Sequence, residues 1–138
     1  MNRMNTGTSK LRGFTLIELL IVIVILGLLG SLVAPTMFSK VDSSMRKTAS
    51  AQISNFETAL DTYRLDIGRY PDRLQQLRVG EHPNWDGPYL PKEIPTDPWG
   101  NEYQYKKPGS DGRAYDLYSL GKDGQPGGED DNEDIYNQ

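Results

Sequence analysis

The side chains able to do chemistry in this 138-residue chain gather at its two ends. Near the amino end one carboxylate, Glu18, stands in the run from Phe14 to Ala34, where the other non-apolar residues are only Thr15, Gly27, Gly30 and Ser31. A carboxylate placed there has either a partner with a job or an interfacial position to which it snorkels, and the residues alone leave both readings open. At the carboxyl end, residues 121–138 hold Asp123, Glu129, Asp130, Asp131, Glu133 and Asp134 against one base, Lys122. That net charge of −5 exceeds the −4 of the whole chain, so the other 120 residues sum to +1. Such a run is either a solvated acidic tail or a set of hard oxygen ligands, and Ca²⁺ takes about 6–8 of these from carboxylates and carbonyls. Asp123-Gly124 and Gly127-Gly128 supply turns, and Asp130 and Asp131 bring a second pair of carboxylates. The spacing and the terminal residues are not those of an EF-hand.

Other chemistries are excluded more simply. There is no cysteine, hence no thiolate metal site, cysteine nucleophile or disulfide. The single histidine, His82, lies between Glu81 and Pro83 in a Pro/Gly-rich stretch and reads as an exposed loop residue. A sequence pI of 4.9 and the lack of a basic stripe argue against nucleic acid as a partner. Outside the acidic loop no His, Lys or carboxylate constellation converges, so an enzyme is not expected.

The elements that must position these groups follow from hydrophobic patterning. Residues 14–34 hold 16 of the 50 apolar residues, which leaves 34 among the other 117. The mean hydropathy is −0.61 in spite of this block, so one end of the chain belongs in lipid and the rest in water. A helix of 21 residues matches a hydrocarbon core of about 30 Å. Arg3, Lys10 and Arg12, with no acid among residues 1–13, predict a cytoplasmic amino end and export of the bulk of the chain. The apolar run is longer than a secretory signal uses, and no small-x-small cleavage site follows it. Pro35 is expected to kink or locally melt the helix. Beyond it Met37, Val41, Met45, Ala49, Ile53, Phe56, Leu60, Tyr63 and Ile67 recur at steps of three and four, an amphipathic pattern that Gly68 and Pro71 end. One helix over residues 14–67 is therefore expected.

Residues 69–138 carry eight of the nine prolines and nine of the fourteen glycines and cannot be mostly helical. A short helical turn around 71–78, an extended proline-rich loop over 81–99, and strands over 102–106 and 114–119 across the turn 107–113 are expected. Trp85, Trp99 and the tyrosines should pack on the long helix or the sheet. The fold class is α+β: a long amino-terminal helix on a small antiparallel sheet.

The run Lys10-Leu11-Arg12-Gly13-Phe14-Thr15-Leu16-Ile17-Glu18 resembles the class III leader junction of type IV pilins and pseudopilins. The resemblance implies cleavage after Gly13 by a membrane prepilin peptidase, N-methylation of Phe14, and a role for Glu18 in assembly opposite the amino terminus of a neighbouring subunit. Gly68-Arg69-Tyr70-Pro71, Gly87-Pro88-Tyr89-Leu90-Pro91, Pro95-Thr96-Asp97-Pro98-Trp99-Gly100-Asn101-Glu102-Tyr103 and Tyr118-Ser119-Leu120-Gly121-Lys122-Asp123-Gly124 resemble the major pseudopilins of type II secretion, the general secretion pathway G family. With the leader, the likeness spans nearly the whole chain.

That family implies a leader (1–13), a transmembrane and filament-core helix (14–34), an amphipathic helix of the head (35–68) and a periplasmic head (69–138). It also implies one Ca²⁺ in the loop at about 120–134, held by Asp123, Asp130 and Asp131 with backbone oxygens of Leu120 and Gly128. The expected role is a structural subunit of an inner-membrane-anchored periplasmic pseudopilus that helps drive folded exoproteins through the outer membrane. Expected partners are further copies of the chain, the peptidase, minor pseudopilins, the inner-membrane assembly platform and membrane lipid. The alternatives are a type IV pilin, which shares residues 14–34 and differs in the head, and a membrane-anchored calcium-dependent binding domain or enzyme.

Overall fold

The structure is a computed structural model that describes Gly7 and residues 10–137; Arg3 of the basic leader lies outside them. One helix dominates, α1 (Leu16–Ile67), followed by a 3₁₀ turn at Leu74–Leu77 and three short strands, β1 (Gln104–Lys106), β2 (Asp116–Ser119) and β3 (Ile135–Tyr136). The strands form one antiparallel sheet in the order β1-β2-β3, with Gln104 opposite Tyr118 and Tyr118 opposite Tyr136. Residues 1–38 and 39–138 form separate compact units.

In the first unit α1 is apolar on every side, and from Leu16 to Val33 each large apolar residue keeps 49–81% of its surface exposed. A helix that buries none of this surface in its own chain must cover it with lipid or with other helices. Among the described residues α1 is the one helix long and apolar enough to cross a membrane. It starts at Leu16, two residues after the expected position, because Thr15 caps it. The α-helix also runs through Pro35, so the expected local melting is not found. Ser31 and Thr36 hydroxyls donate to the Leu28 and Val33 carbonyls beside it, at 2.7 and 2.8 Å.

In the second unit α1 becomes one-sided. Ala49, Ile53, Phe56, Ala59, Leu60 and Tyr63 are buried, and the face packs against Pro71, Leu74, Leu77, Leu90, Tyr103, Tyr115, Leu117 and Ile135. The buried part of the predicted stripe is shorter than its periodicity: Met37 and Val41 are exposed and Met45 is half-buried, because before Ala49 the helix meets the acidic loop through polar contacts at Asp42 and Arg46 and the apolar core begins only at Ala49. The aromatic residues dock the irregular segments as expected. Phe56 and Tyr103 meet edge to face at 5.2 Å. The hydroxyls of Tyr89 and Tyr70 donate to Asp66 and Asp61 of α1, each at 2.8 Å, and Trp85 Nε1 donates to the Gln76 carbonyl at 2.8 Å. Burial pushes the hydroxyls of Tyr103, Tyr105 and Tyr115 up, and those of Tyr103 and Tyr105 donate to Gln52 Oε1 and to the Pro71 carbonyl.

The strands are shorter than their sequence patterns. Residues 102 and 103 stay outside β1 because a turn closes immediately before them, with Asp97 N–H donating to the Asn101 carbonyl at 2.8 Å. Residues 114 and 115 stay outside β2 because the preceding loop folds on itself, Gly109 N–H donating to Arg113 O at 3.1 Å and Ser110 N–H to Asp116 Oδ2 at 2.9 Å. β3 was not expected, since two residues after an acidic stretch carry no alternation to recognise.

Candidate functional site

At the amino end, residues 10–15 are non-helical and exposed. Thr15 and Glu18 form a reciprocal cap: Glu18 N–H donates to Thr15 Oγ1 at 3.3 Å, and Thr15 N–H donates to Glu18 Oε2 at 3.4 Å. This is a capping box, and it sets the carboxylate at the positive end of the helix dipole. It gives Glu18 a partner within its own chain. The signal was present in the sequence as Thr-x-x-Glu ahead of an apolar run, but the composition of the apolar block obscured it. Gly13 and Phe14 lie just outside the cap, with Phe14 92% exposed. A methyl group added at Gly13 would meet nothing within 4 Å, so the fold itself makes no demand for glycine there. The Gly13–Phe14 peptide is thus non-helical and uncovered, a state in which a protease can take up a chain.

At the carboxyl end, the acidic loop runs between β2 and β3 and is closed at its base by the Ser119–Ile135 pair. The base is tied further by Asn137, whose N–H donates to Leu117 O at 2.8 Å and whose Oδ1 accepts Leu117 N–H at 2.9 Å. Inside the loop, Gly121 and Gly128 have φ of +71° and +94°. A Cβ at Gly128 would stand 2.4 Å from the Asn132 carbonyl oxygen, and one at Gly121 would stand 2.9 Å from that of Glu133. Only glycine allows the loop to close this tightly on itself.

The loop's entry is fixed from behind by a buried carboxylate. Asp97 is 3% exposed. Its Oδ1 accepts Trp99 N–H at 3.1 Å and Asn101 N–H at 2.8 Å; its Oδ2 accepts the Ser119 hydroxyl at 2.7 Å, and Ser119 Oγ in turn accepts Gly121 N–H at 3.1 Å. The Pro-Thr-Asp-Pro-Trp-Gly and Ser-Leu-Gly segments, far apart in sequence, are therefore one hydrogen-bonded unit that orients Leu120 and Gly121.

The expected ligands are distributed unevenly around this loop. Asp123 and Asp130 are exposed and Asp131 is half-buried. Asp123 Oδ1 accepts Gln125 N–H at 3.0 Å. Among the described residues no group of three Asp, Glu or His side chains converges closely enough to hold a metal ion, so Asp123, Asp130 and Asp131 do not stand as a preformed cage. The carboxylate that does turn inward is Asp134, which sequence reasoning passed over. Its Oδ2 accepts Gly127 N–H at 3.0 Å, while its Oδ1 is buried with no hydrogen-bond partner. An unpaired buried carboxylate oxygen in an acid-rich, glycine-hinged loop fits a hard cation as the missing partner.

His82 is exposed, its Nδ1 accepting Asn84 N–H at 3.1 Å, and takes no part in either site.

Both ends of the chain match known families. Residues 36–138 match the profile of type II secretion system protein G, and residues 8–34 match the prokaryotic N-terminal methylation motif. The chain belongs to the type II secretion system protein G family. Its relatives in that family include the type II secretion system core protein G of Pseudomonas aeruginosa, 44% identical over 133 residues that cover 91% of this chain and 93% of the relative. The corresponding protein of Escherichia coli K12 is 43% identical and covers 91% of each. Among solved structures, the major pseudopilin from the type 2 secretion system of enterohaemorrhagic Escherichia coli superposes with a TM-score of 0.60 at 34% identity, covering 75% of this chain and 94% of that one. Because the family profile covers the head, it separates the chain from type IV pilins, with which the amino-terminal run is shared.

Proposed function

We propose that this chain is the major structural subunit of a type II secretion pseudopilus and performs no catalysis of its own. The observation that carries the reading is the joining, in one chain, of a methylation-type junction to a protein G head. Prepilin peptidase cleaves between Gly13 and Phe14, where the backbone is exposed and non-helical, and the new Phe14 amine is methylated. The precursor is anchored in the inner membrane by the apolar half of α1, with the head in the periplasm. Assembly then moves that apolar surface from lipid to neighbouring helices, a transfer with little hydrophobic cost because both surroundings are apolar. Glu18, capped by Thr15 in the single chain, meets the Phe14 ammonium of a neighbour in the filament, where neither charge could remain alone. Minor pseudopilins and the inner-membrane assembly platform are the further partners. The growing filament helps drive folded exoproteins through the outer membrane.

The acidic loop takes one Ca²⁺ under the same proposal. Asp123, Asp130 and Asp131 supply carboxylates, Leu120 and Gly128 supply backbone oxygens, and the unpaired Asp134 Oδ1 offers one more. When bound, the ion neutralises the loop's negative charge and links its two sides. A site present only in the folded chain stabilises it by about 2.7 kcal/mol at a hundredfold excess of ion over Kd. The reading as a whole is tested by mass spectrometry of the native amino terminus together with gene deletion. A chain beginning at methylated Phe14, and a deletion that stops exoprotein secretion while surface pili persist, are expected. An uncleaved amino terminus, or undisturbed secretion, refutes it.

A further inference from the structure

The acidic loop is held on α1 at both its entry and its exit. At the entry, Lys122 Nζ lies 2.9 Å from Asp42 Oδ2. One helical turn further along the same face, Arg46 reaches the exit: its Nη1 donates to the Glu133 carbonyl at 2.8 Å and to the Asp131 carbonyl at 3.4 Å, and its Nη2 lies 4.0 Å from Glu133 Oε2. The strongest of these contacts go to backbone oxygens, so they fix the path of the chain at residues 131–133 whatever the acidic side chains do. Both carbonyls are served by Nη1 while Nη2 faces the Glu133 carboxylate, so the planar guanidinium holds backbone and side chain of the exit at once, which an ammonium at the end of a flexible stem does less well.

We infer that Arg46 is a positioning residue for the acidic loop, docking residues 131–133 onto α1 and setting the loop backbone ready for a cation. Two effects oppose each other. The guanidinium repels an incoming cation, but its charge is already met by two carbonyls and the Glu133 carboxylate, and at 26% side-chain exposure it is partly screened by solvent. Without the dock, the ion would have to order the exit of the loop itself, and the entropy of fixing several residues works against binding. Preorganisation outweighs repulsion, so Arg46 strengthens cation binding despite its sign.

The part of the inference that concerns the cation rests on the calcium reading above; the docking does not. Both are tested on the full mature chain in detergent with Arg46→Met, which keeps the apolar stem, and Arg46→Lys, which keeps the charge. In chelator, amide exchange over residues 129–134 is expected to speed up about tenfold in Arg46→Met and less in Arg46→Lys, while Leu117–Ser119 amides stay unchanged. In a Ca²⁺ titration, Kd is expected to weaken about tenfold in Arg46→Met, with partial rescue by Arg46→Lys. Unchanged exchange over 129–134 overturns the docking. A Kd that stays the same or tightens in Arg46→Met overturns the preorganisation. If the parent chain binds no Ca²⁺, the calcium reading fails and the exchange measurement alone decides the docking.

Discussion

Removing the Asp97 carboxylate tests whether the head is held together by the hydrogen-bonded unit behind the acidic loop. Asp97→Ala takes away three acceptor contacts, to Trp99 N–H, Asn101 N–H and the Ser119 hydroxyl, at a position 3% exposed. Each buried donor left without an acceptor costs about 1–3 kcal/mol, and partial rehydration of the emptied space returns some of that. A net loss of about 3 kcal/mol follows, which for a unit the size of residues 39–138 lowers Tm by roughly 12–24 °C. Asp97→Asn is the sharper probe. One oxygen still accepts both N–H groups, but the amide nitrogen now faces Ser119 Oγ, which loses its own acceptor and must accept instead. About 1–2 kcal/mol is lost. Melting followed by near-UV circular dichroism, which reports the packed tyrosines and tryptophans of the head rather than the long helix, should rank parent, Asn and Ala in that order. An Asp97→Ala chain melting within about 3 °C of the parent would refute the reasoning, because the buried contacts would then carry no net energy.

Glu18→Ala removes the capping box and the proposed intersubunit partner while leaving the apolar run intact. Membrane insertion and cleavage at Gly13 should persist and filament yield should collapse; normal assembly, scored by electron microscopy and crosslinking, would discard the pairing. Asp123→Ala should abolish the calcium-dependent rise in Tm, and Asp134→Asn should reduce it; melting curves with and without chelator that coincide in the parent would remove the ion from the scheme. Asp116 supplies a pH dependence. Its carboxyl is held below the usual range mainly by the Ser110 N–H, assisted by Arg113 and opposed by burial. A depressed folded-state value means that its contribution is complete above the unfolded value of about 3.9 and is lost as pH falls through the folded value. Acid titration of Tm should therefore show a limb below about pH 4 that is shallower in Asp116→Asn.

The long helix and the head's aromatic packing were legible because each depends on a repeated pattern. A 21-residue apolar block and a three-and-four periodicity are written many times over, so single exceptions such as Pro35 or the exposed Met37 do not obscure them. Boundaries set by one contact were harder to read. The start of α1 depends on the Thr15–Glu18 cap, β1 is shortened by the Asp97–Asn101 turn, and β3 follows from the tie between Asn137 and Leu117. Each of these joins residues through geometry that appears only once the chain has folded.

The acidic loop separates composition from register most clearly. Six acids and four glycines in 18 residues announced an oxygen-rich turn, and the glycines do bend the chain as that composition implies. Which carboxylate points inward is a matter of backbone path. Asp130 adopts φ of +53° in the exposed 3₁₀ turn 130–132, whereas Asp134 comes after that turn, where the chain re-enters the sheet at Ile135 and the Gly127 N–H waits for it. Counting charges treats Asp130, Asp131 and Asp134 as equivalent. The fold distinguishes them, because β3 and Arg46 hold the exit of the loop and Asp134, immediately before β3, has one carboxylate oxygen buried there. Asp134 occupies that place, with its Oδ2 on the Gly127 N–H and its Oδ1 left buried and unpaired, which is why the proposed cation is tested at Asp134 as well as at Asp123.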